Sequence, residues 1–128
     1  MNTESVLIDQ WRSLLSEYSR VAQELDRALQ HHHGMTMSDY EVLDRLVDAG
    51  CKARAQELVG DLHLSQSALS RAVARMEKCG LVERAMCDTD RRGVFVTATD
   101  AGRAAHSAAR ATQLDVLKRH LADRVPQG

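Results

Sequence analysis

The stretch "SQSALSRAVARMEKCG", residues 65–80, has two faces of opposite character when it is arranged as an α-helix. Small and apolar side chains recur on one face at helical spacing, namely Ala68, Leu69, Ala72, Val73 and Met76. The other face carries short polar groups and then long cations, namely Gln66, Ser67, Ser70, Arg71, Arg75 and Lys78. Ser65 is a suitable N-cap for this helix, and "DLHL" before it is typical of a turn. The exposed face is therefore suited to lying against an anion.

The residues that follow this helix predict a two-stranded hairpin with a basic tip. "LVERAM", residues 81–86, and "GVFVTA", residues 93–98, alternate or are rich in β-branched side chains. The six residues between them, "CDTDRR", are charged and typical of a turn, so that Arg91 and Arg92 are expected at its tip. Two strands alone are marginal, and the hairpin is expected to pack on the helices before it.

A long amphipathic helix is predicted over residues 4–30, with a length of about 40 Å at 1.5 Å per residue. Its apolar stripe has three- and four-residue steps and comprises Leu7, Trp11, Leu14, Leu15, Tyr18, Val21, Leu25, Ala28 and Leu29. Gly34 is expected to end the helix. Since such a rod is longer than a small domain, part of its stripe needs a partner from another chain.

Three further helices are predicted around the central one. "SDYE", residues 38–41, is a capping box that begins a helix ending at Gly50, with Tyr40, Leu43, Leu46 and Val47 inward. "ARAQELVG", residues 53–60, predicts a short helix that buries Ala55, Leu58 and Val59 and closes at Gly60. Thr99 is expected to cap an alanine-rich last helix that precedes Pro126.

Composition restricts the class of protein. The 128 residues, 44% of them hydrophobic, are enough for one cored domain with an appendage. No apolar run approaches the roughly 18 residues of a membrane helix, and no signal-peptide pattern opens the chain, so a cytoplasmic protein without a membrane partner is expected. Cys51, Cys79 and Cys87 form no C-x-x-C pair, which favours reduced thiols over disulfides or a zinc site.

Charge is distributed unevenly along the chain although the net charge is −1. Residues 1–51 carry 4 basic and 9 acidic side chains, whereas residues 52–103 carry 9 and 7. Residues 104–128 carry 4 and 2. The positive excess therefore begins in the middle of the chain, where the cationic helix and the basic hairpin lie.

The order of these elements is that of a helix-turn-helix with an added wing. The predicted fold class is mainly α with a small β-hairpin wing, that is, a winged helix-turn-helix with long N- and C-terminal dimerisation helices. The major groove of B-DNA admits one α-helix, whose polar face meets base edges and phosphates. An arginine on a thin β tip fits the narrow, negative minor groove of A·T-rich DNA, and Asp90 is expected to orient Arg91 and Arg92 by ion pairing.

The stretches "LSQSALSRAVARMEKCGLVER" and "DTDRRGVFVTATDAG" resemble the recognition helix, the wing and the opening of the next helix in the MarR (multiple antibiotic resistance regulator) family. The resemblance implies a homodimeric regulator of transcription, a repressor, that binds an inverted-repeat operator in double-stranded DNA. It divides the chain into a dimerisation helix at residues 1–34, a DNA-binding domain at 35–98 and a second dimerisation helix at 99–128.

Roles for individual residues follow from the same resemblance. Base or groove-edge contacts are implied for Gln66, Ser67, Ser70, Arg71 and Arg75. Insertion into the minor groove is implied for Arg91 or Arg92, and orientation of these arginines for Asp90. Lys78 and Arg84 are expected to contact phosphates or to brace the wing. The resemblance also implies a small aromatic or phenolic effector between the dimerisation helices and the DNA-binding domain, with Tyr40, Trp11 and Met37 as its walls.

Three alternatives remain open at this point. Metal sensing would use His31–His33 with Glu24, Asp26, Asp39, Glu41 and His106, but His106 has Arg110 rather than a second histidine four residues on. Redox sensing would need a reactive thiol, for which Cys87 beside the arginines is the candidate. A winged helix could also serve as a protein-binding module. No cofactor is expected, and neither a phosphate loop nor a nucleophile elbow suggests an enzyme.

Overall fold

The computed structural model describes residues 2–49, 53–54, 60, 62–87 and 90–126. Helices and strands follow in the order α1 Thr3–His33, α2 Met37–Ala49, β1 Ala53–Arg54, α3 Gln66–Lys78, β2 Val82–Cys87, β3 Asp90–Ala98 and α4 Asp100–Leu121, with a 3₁₀ turn at Ala122–Arg124. Helices that flank a small antiparallel sheet confirm the predicted winged-helix fold class.

Helix α1 is longer than the sequence predicts. The Asn2 side chain accepts a hydrogen bond from the Glu4 N–H at 2.8 Å at its start. Its 31 residues correspond to about 46 Å, and His31, His32 and His33 extend it by a further turn beyond the predicted residues 4–30. Gly34 caps the helix as expected, because its left-handed φ of 67° is a conformation that other residues rarely adopt.

The capping box of α2 lies two residues before the predicted one. The Thr36 hydroxyl accepts from the Asp39 N–H at 3.0 Å, and an Asp39 carboxylate oxygen accepts from the Thr36 N–H at 3.2 Å. Asp26 on α1 also accepts from the Met37 N–H, at 2.8 Å. The prediction that Ser38 and Glu41 form the box is therefore wrong, since a contact with α1 satisfies an earlier N–H and lets the helix begin at Met37.

The sheet has the order β1-β3-β2, and both strand pairs are antiparallel. β1 pairs Ala53 with Val96 and Arg54 with Phe95, so these first two residues of the predicted "ARAQELVG" helix are a strand. A two-residue strand has no periodicity of its own and is formed by tertiary pairing. Gly60 is helical, whereas residues 55–59, and with them the predicted burial of three side chains there, lie outside the described residues.

The wing hairpin is longer than predicted. Cys87 pairs with Asp90 after an irregularity in register at Met86, so Arg91 and Arg92 belong to β3 and only residues 88–89 connect the strands. The assignment of residues 87–92 to a turn is wrong at both ends. Ladder pairing extends the strands through charged residues that have weak strand preference of their own.

One apolar core joins all the helices to the foot of the wing. Its fully buried members include Leu29 of α1 and Ala109 of α4, together with Tyr40, Val42, Leu43, Leu46, Val82 and Val96. Three of the four residues predicted to point inward from α2 are confirmed as buried, and Val47 is half-buried. The core therefore holds α3 and the wing in a fixed relation to α2 and α4.

The start of α4 packs directly on the backbone that leads into the wing. As predicted, Thr99 caps the helix: its hydroxyl accepts from the Gly102 N–H at 3.0 Å, and it donates to the Gly80 carbonyl at 2.6 Å. The Thr99 N–H donates to the Leu81 carbonyl at 3.0 Å. A Cβ on Gly102 would lie 2.0 Å from that same carbonyl oxygen. Glycine is required here because two backbones meet.

Candidate nucleic-acid interface

Helix α3 presents the two faces that its sequence predicts. Ser65 caps it by accepting from the Ala68 N–H at 3.1 Å. Four apolar residues of the helix are buried, namely Leu69, Ala72, Val73 and Met76. The polar side chains are all exposed, namely Gln66, Ser67, Ser70, Arg71, Arg75 and Lys78. The apolar side of α3 therefore packs on the core, and its polar side is exposed along the whole length of the helix.

The cations of this region differ in their surroundings. Arg71 and Lys78 have neither an ion-pair nor a hydrogen-bond partner for their side chains among the residues that the structure describes. An Arg75 guanidinium nitrogen lies 2.6 Å from a carboxylate oxygen of Asp39 on α2. Arg71 and Lys78 are therefore free to neutralise an external anion, whereas Arg75 is already held by its own protein.

The wing begins with a brace. Arg84 on β2 lies 3.4 Å from Glu77 on α3, and both side chains are more than two-fifths exposed. This pair supports the bracing role that was predicted for Arg84 and leaves phosphate contact by Arg84 untested. Asp90, Arg91 and Arg92 are the first residues of β3, next to the connection at 88–89. Orientation of the arginines by Asp90 depends on side chains outside those that the structure describes, and it stays a prediction.

Comparison with known proteins shows the same architecture in regulators of transcription. The sequence model of the MarR family matches residues 35–94. Sco3205 from Streptomyces coelicolor, a MarR family transcriptional regulator solved in complex with DNA, is 32% identical, with a TM-score of 0.86 over 98% of this chain and 78% of that one. The chain belongs to the MarR family. Being a transcriptional regulator of this family, it is not an enzyme, as the sequence predicts.

Two further relatives agree with this membership. AbsC from Streptomyces coelicolor, also a MarR family transcriptional regulator, is 31% identical, with a TM-score of 0.84 over 98% of this chain and 83% of that one. The uncharacterized HTH-type transcriptional regulator YwhA of Bacillus subtilis (strain 168) is 26% identical over 91 residues. That match spans 71% of this chain and 64% of the relative, which is less than two thirds of the relative's length.

The first half of α1 in this MarR family regulator carries large apolar side chains that the chain itself does not cover. They are Val6, Leu7, Ile8, Trp11, Leu14, Leu15 and Tyr18, which are between 40% and 65% exposed. In the second half of the same helix, Leu25 and Leu29 are buried against the rest of the chain. The apolar stripe is thus continuous, and only its C-terminal part has a partner within the chain.

A cavity of about 360 Å³ lies where α1, α2 and the segment before α3 meet. Its walls are mainly apolar, and Glu41 and Arg45 add one acid and one base to them. The pKa of Glu41 is raised, first by burial and then by the neighbouring Asp44 carboxylate. Among the three predicted effector walls, Met37 lines this cavity and the other two do not.

Tyr40 and Trp11 face elsewhere for separate reasons. Tyr40 points to the opposite side of α2, where its ring is buried and stacks on His106 of α4 with centroids 5.5 Å apart. Trp11 is 59% exposed and lies about two turns before Tyr18, the first α1 residue to reach the cavity. Neither residue therefore lines this cavity, and their role at an effector site stays a prediction.

Helix α4 is held to α2 and α1 by polar contacts. His106 bonds the Asp44 carboxylate at 2.7 Å, and the Tyr40 hydroxyl donates to Gln113 at 3.0 Å. Burial, with a contribution from nearby carboxylates, raises the pKa of Tyr40 to about 12, so this hydroxyl stays protonated and can donate. Glu24 of α1 pairs with Arg119 at 2.5 Å and with His120, whose hydrogen bond is the main cause that lowers the pKa of the Glu24 carboxyl.

Several residues that were candidates for metal sensing each have a different partner within the chain. Glu24 binds α4, Asp26 binds the start of α2, and Asp39 binds α3, while His106 pairs with Asp44. Within the described ranges there is no group of three or more histidine, cysteine or acidic side chains able to hold a metal ion. The structure therefore does not bring these candidates together.

The three cysteines lie at different places along the chain. Cys79 is the C-terminal cap of α3 and is a free, exposed thiol. Cys51 lies outside the described residues, and Cys87 is the last residue of β2. None of the helices in the described part of the chain is both long enough and apolar enough to cross a membrane.

Proposed function

We propose that this MarR family regulator is a repressor that binds double-stranded DNA as a homodimer, with α3 of each subunit in a major groove. The exposed face of α3 is the observation that carries this proposal. Short polar side chains, which can bond base edges, share that face with Arg71 and Lys78, two cations whose side chains have no partner among the residues that the structure describes. A purely apolar or acidic face would have argued against DNA.

In the proposed dimer, the exposed apolar stripe of α1 indicates which segments join the two subunits and which bind DNA. Residues 1–34 and 99–128 form the dimer, and residues 35–98 bind DNA. Large apolar side chains that stay exposed on a helix typically mark an interface with another protein, because leaving them in water costs free energy. A two-fold axis through this interface would place the two α3 helices about 34 Å apart, one turn of DNA.

The dimer is tested by a charge on the α1 stripe. Leu14, which is 57% exposed in the single chain, is changed to glutamate. Leu14→Glu should convert the dimer to a monomer at micromolar concentration, because a carboxylate would be buried without a partner at the interface. Sedimentation velocity measures the change. Ser16→Glu adds the same charge on the other side of the helix and should remain dimeric; a Leu14→Glu variant that also stays dimeric would remove α1 from the interface.

The experiment for DNA binding is selection of bound duplexes from a random pool, at about 150 mM salt so that non-specific phosphate binding is weak. We expect to recover an inverted repeat with half-sites about one helical turn apart. Arg71→Ala should then weaken binding to the recovered duplex by about 1–3 kcal/mol. Recovery of no sequence would contradict the proposal and favour a protein-binding module.

An effector is the second part of the proposed function. The cavity at α1 and α2 is within the usual size range of small-molecule sites, roughly 300–1,000 Å³, and Arg45 suits a phenolate or carboxylate on an apolar aromatic ring. Occupation of the cavity would separate α1 from α2 and change the spacing of the α3 helices. Titration of aromatic acids against the selected duplex should lower its affinity; unchanged affinity throughout would remove the effector from the proposal.

A further inference from the structure

Asp39 is a buried carboxylate that joins two helices. It is 5% exposed, and its two oxygens have different donors. One accepts from an Arg75 guanidinium nitrogen on α3 at 2.6 Å, and the other accepts from the Thr36 N–H at the start of its own helix at 3.2 Å. Burial of a carboxylate is costly without hydrogen-bond donors, and Arg75 and the Thr36 N–H supply them here.

The contact with Asp39 uses only part of the hydrogen-bonding capacity of Arg75. A guanidinium group carries five N–H donors in a rigid plane, and Asp39 is the one side-chain partner that Arg75 has within the described part of the chain. The side chain remains 51% exposed. Helical geometry places it at the border of the polar face of α3, on the side toward α2. One nitrogen of the group is anchored, and about half of the side chain stays accessible to a ligand.

We propose that Asp39 is a positioning residue for sequence reading by α3, which rests on the proposed function that α3 lies in the major groove. Asp39 fixes the plane and the direction of the Arg75 guanidinium, so that its free donors meet one base-pair edge in a single geometry. Lysines and arginines without an anchor, such as Lys78, neutralise phosphate from many geometries and carry little sequence information.

Asp39 is itself held in place by contacts within α2 and with α1. Thr36 and Asp39 bond each other across the first turn of α2, and Asp26 of α1 bonds the Met37 N–H between them. The direction of Arg75 is therefore set by α1 and α2 and not by the backbone of α3 alone. A change of the α1–α2 contact would be transmitted to the group that reads the base.

The test measures the affinity of the wild-type protein and of each protein variant for the selected duplex and for duplexes that differ from it at a single base pair. The ratios of these affinities give the base preference at each position. Arg75→Ala should reduce the preference at one position of each half-site by roughly tenfold. Asp39→Asn keeps the size of the side chain but removes its charge and sets an amide N–H against one of the two donors. It should relax the preference at the same position, and the double variant should be no less selective than Arg75→Ala.

A matched control separates positioning from folding. Thr36→Val removes the other half of the capping box and leaves the Asp39 carboxylate in place. It should lower the midpoint of thermal unfolding but change the base preference at the Arg75 position less than Asp39→Asn does, because the Asp39 carboxylate keeps both of its donors, Arg75 and the Thr36 N–H. Asp39→Ser, whose hydroxyl can still cap α2, replaces Asp39→Asn if the latter does not fold.

Two results would overturn the proposal while the proposed function stands. One is a base preference that Arg75→Ala relaxes and the Asp39 variants leave intact, since Asp39 would then be structural only. The other is an unchanged preference in Arg75→Ala, since Arg75 would then read no base. Failure of the proposed function is recognised separately, because the wild-type protein would itself select no sequence.

Discussion

The double variant Arg91→Ala/Arg92→Ala is expected to bind an operator with A·T-rich flanks about a hundredfold more weakly than the wild-type protein. Both arginines lie at the start of β3, beside the connection that ends the wing. An arginine in a narrow minor groove gains from its strong negative potential, and contacts of this kind are worth roughly 1–3 kcal/mol each. The affinity is measured by titration of the labelled duplex at fixed salt.

A control variant must distinguish the loss of the wing arginines from the general effect of removing two positive charges. Arg12→Ala/Arg20→Ala removes two arginines that are exposed on α1, far along the chain from the proposed interface. This variant should keep the wild-type affinity within a few fold. The wing variant should lose less affinity when the flanks are G·C-rich, because the wider groove has a weaker potential. Equal affinity of the wing variant and the wild-type protein on A·T-rich flanks would refute minor-groove insertion.

Gly102→Ala is expected to destabilise the fold by about 3 kcal/mol or more, at the upper end of the effect of overpacking. The added Cβ would lie 2.0 Å from the Leu81 carbonyl oxygen, which is a backbone atom and cannot rotate away. The start of α4 and the entry to the wing would have to separate, with loss of the Thr99 N–H to Leu81 bond. Urea unfolding followed by circular dichroism gives the free energy of unfolding.

Gly60→Ala is the matched comparison for this substitution. Gly60 is helical and exposed, and a Cβ there meets no atom within 4 Å. Alanine is the better helix former by roughly 0.8–1.0 kcal/mol, so this variant should be as stable as the wild-type protein or slightly more stable. If Gly102→Ala shared that gain, the close approach of the two backbones would not be a constraint on the fold.

Local patterns were sufficient to predict the elements that depend on neighbouring residues. The two faces of α3, the caps at Ser65 and Thr99 and the stop at Gly34 follow from spacing and from single side chains. The hairpin was predicted from its alternating residues, but its strands continue further because pairing across the ladder extends them. β1 was missed, since two residues carry no periodic signal.

The candidate site divides in the same way. The exposed polar and cationic residues of α3 were all predicted, because an amphipathic helix assigns its own faces. The anchoring of Arg75 by Asp39 was missed, as was the grip of Glu24 on Arg119, since these partners are far apart in the chain. Tyr40 was expected at the effector pocket and instead stacks on His106.

The sequence by itself determined the order of the long helices and the wing and which face of α3 is polar, since these properties depend on spacing within one segment and on local hydrogen bonds. Only the tertiary structure decided which cations of α3 have an ion-pair partner among the described residues, where the cavity lies, and which residues of the α1 stripe the chain itself covers. Each of these depends on the relative placement of segments distant in the chain, which is set by packing of the whole core and leaves no pattern in any one segment.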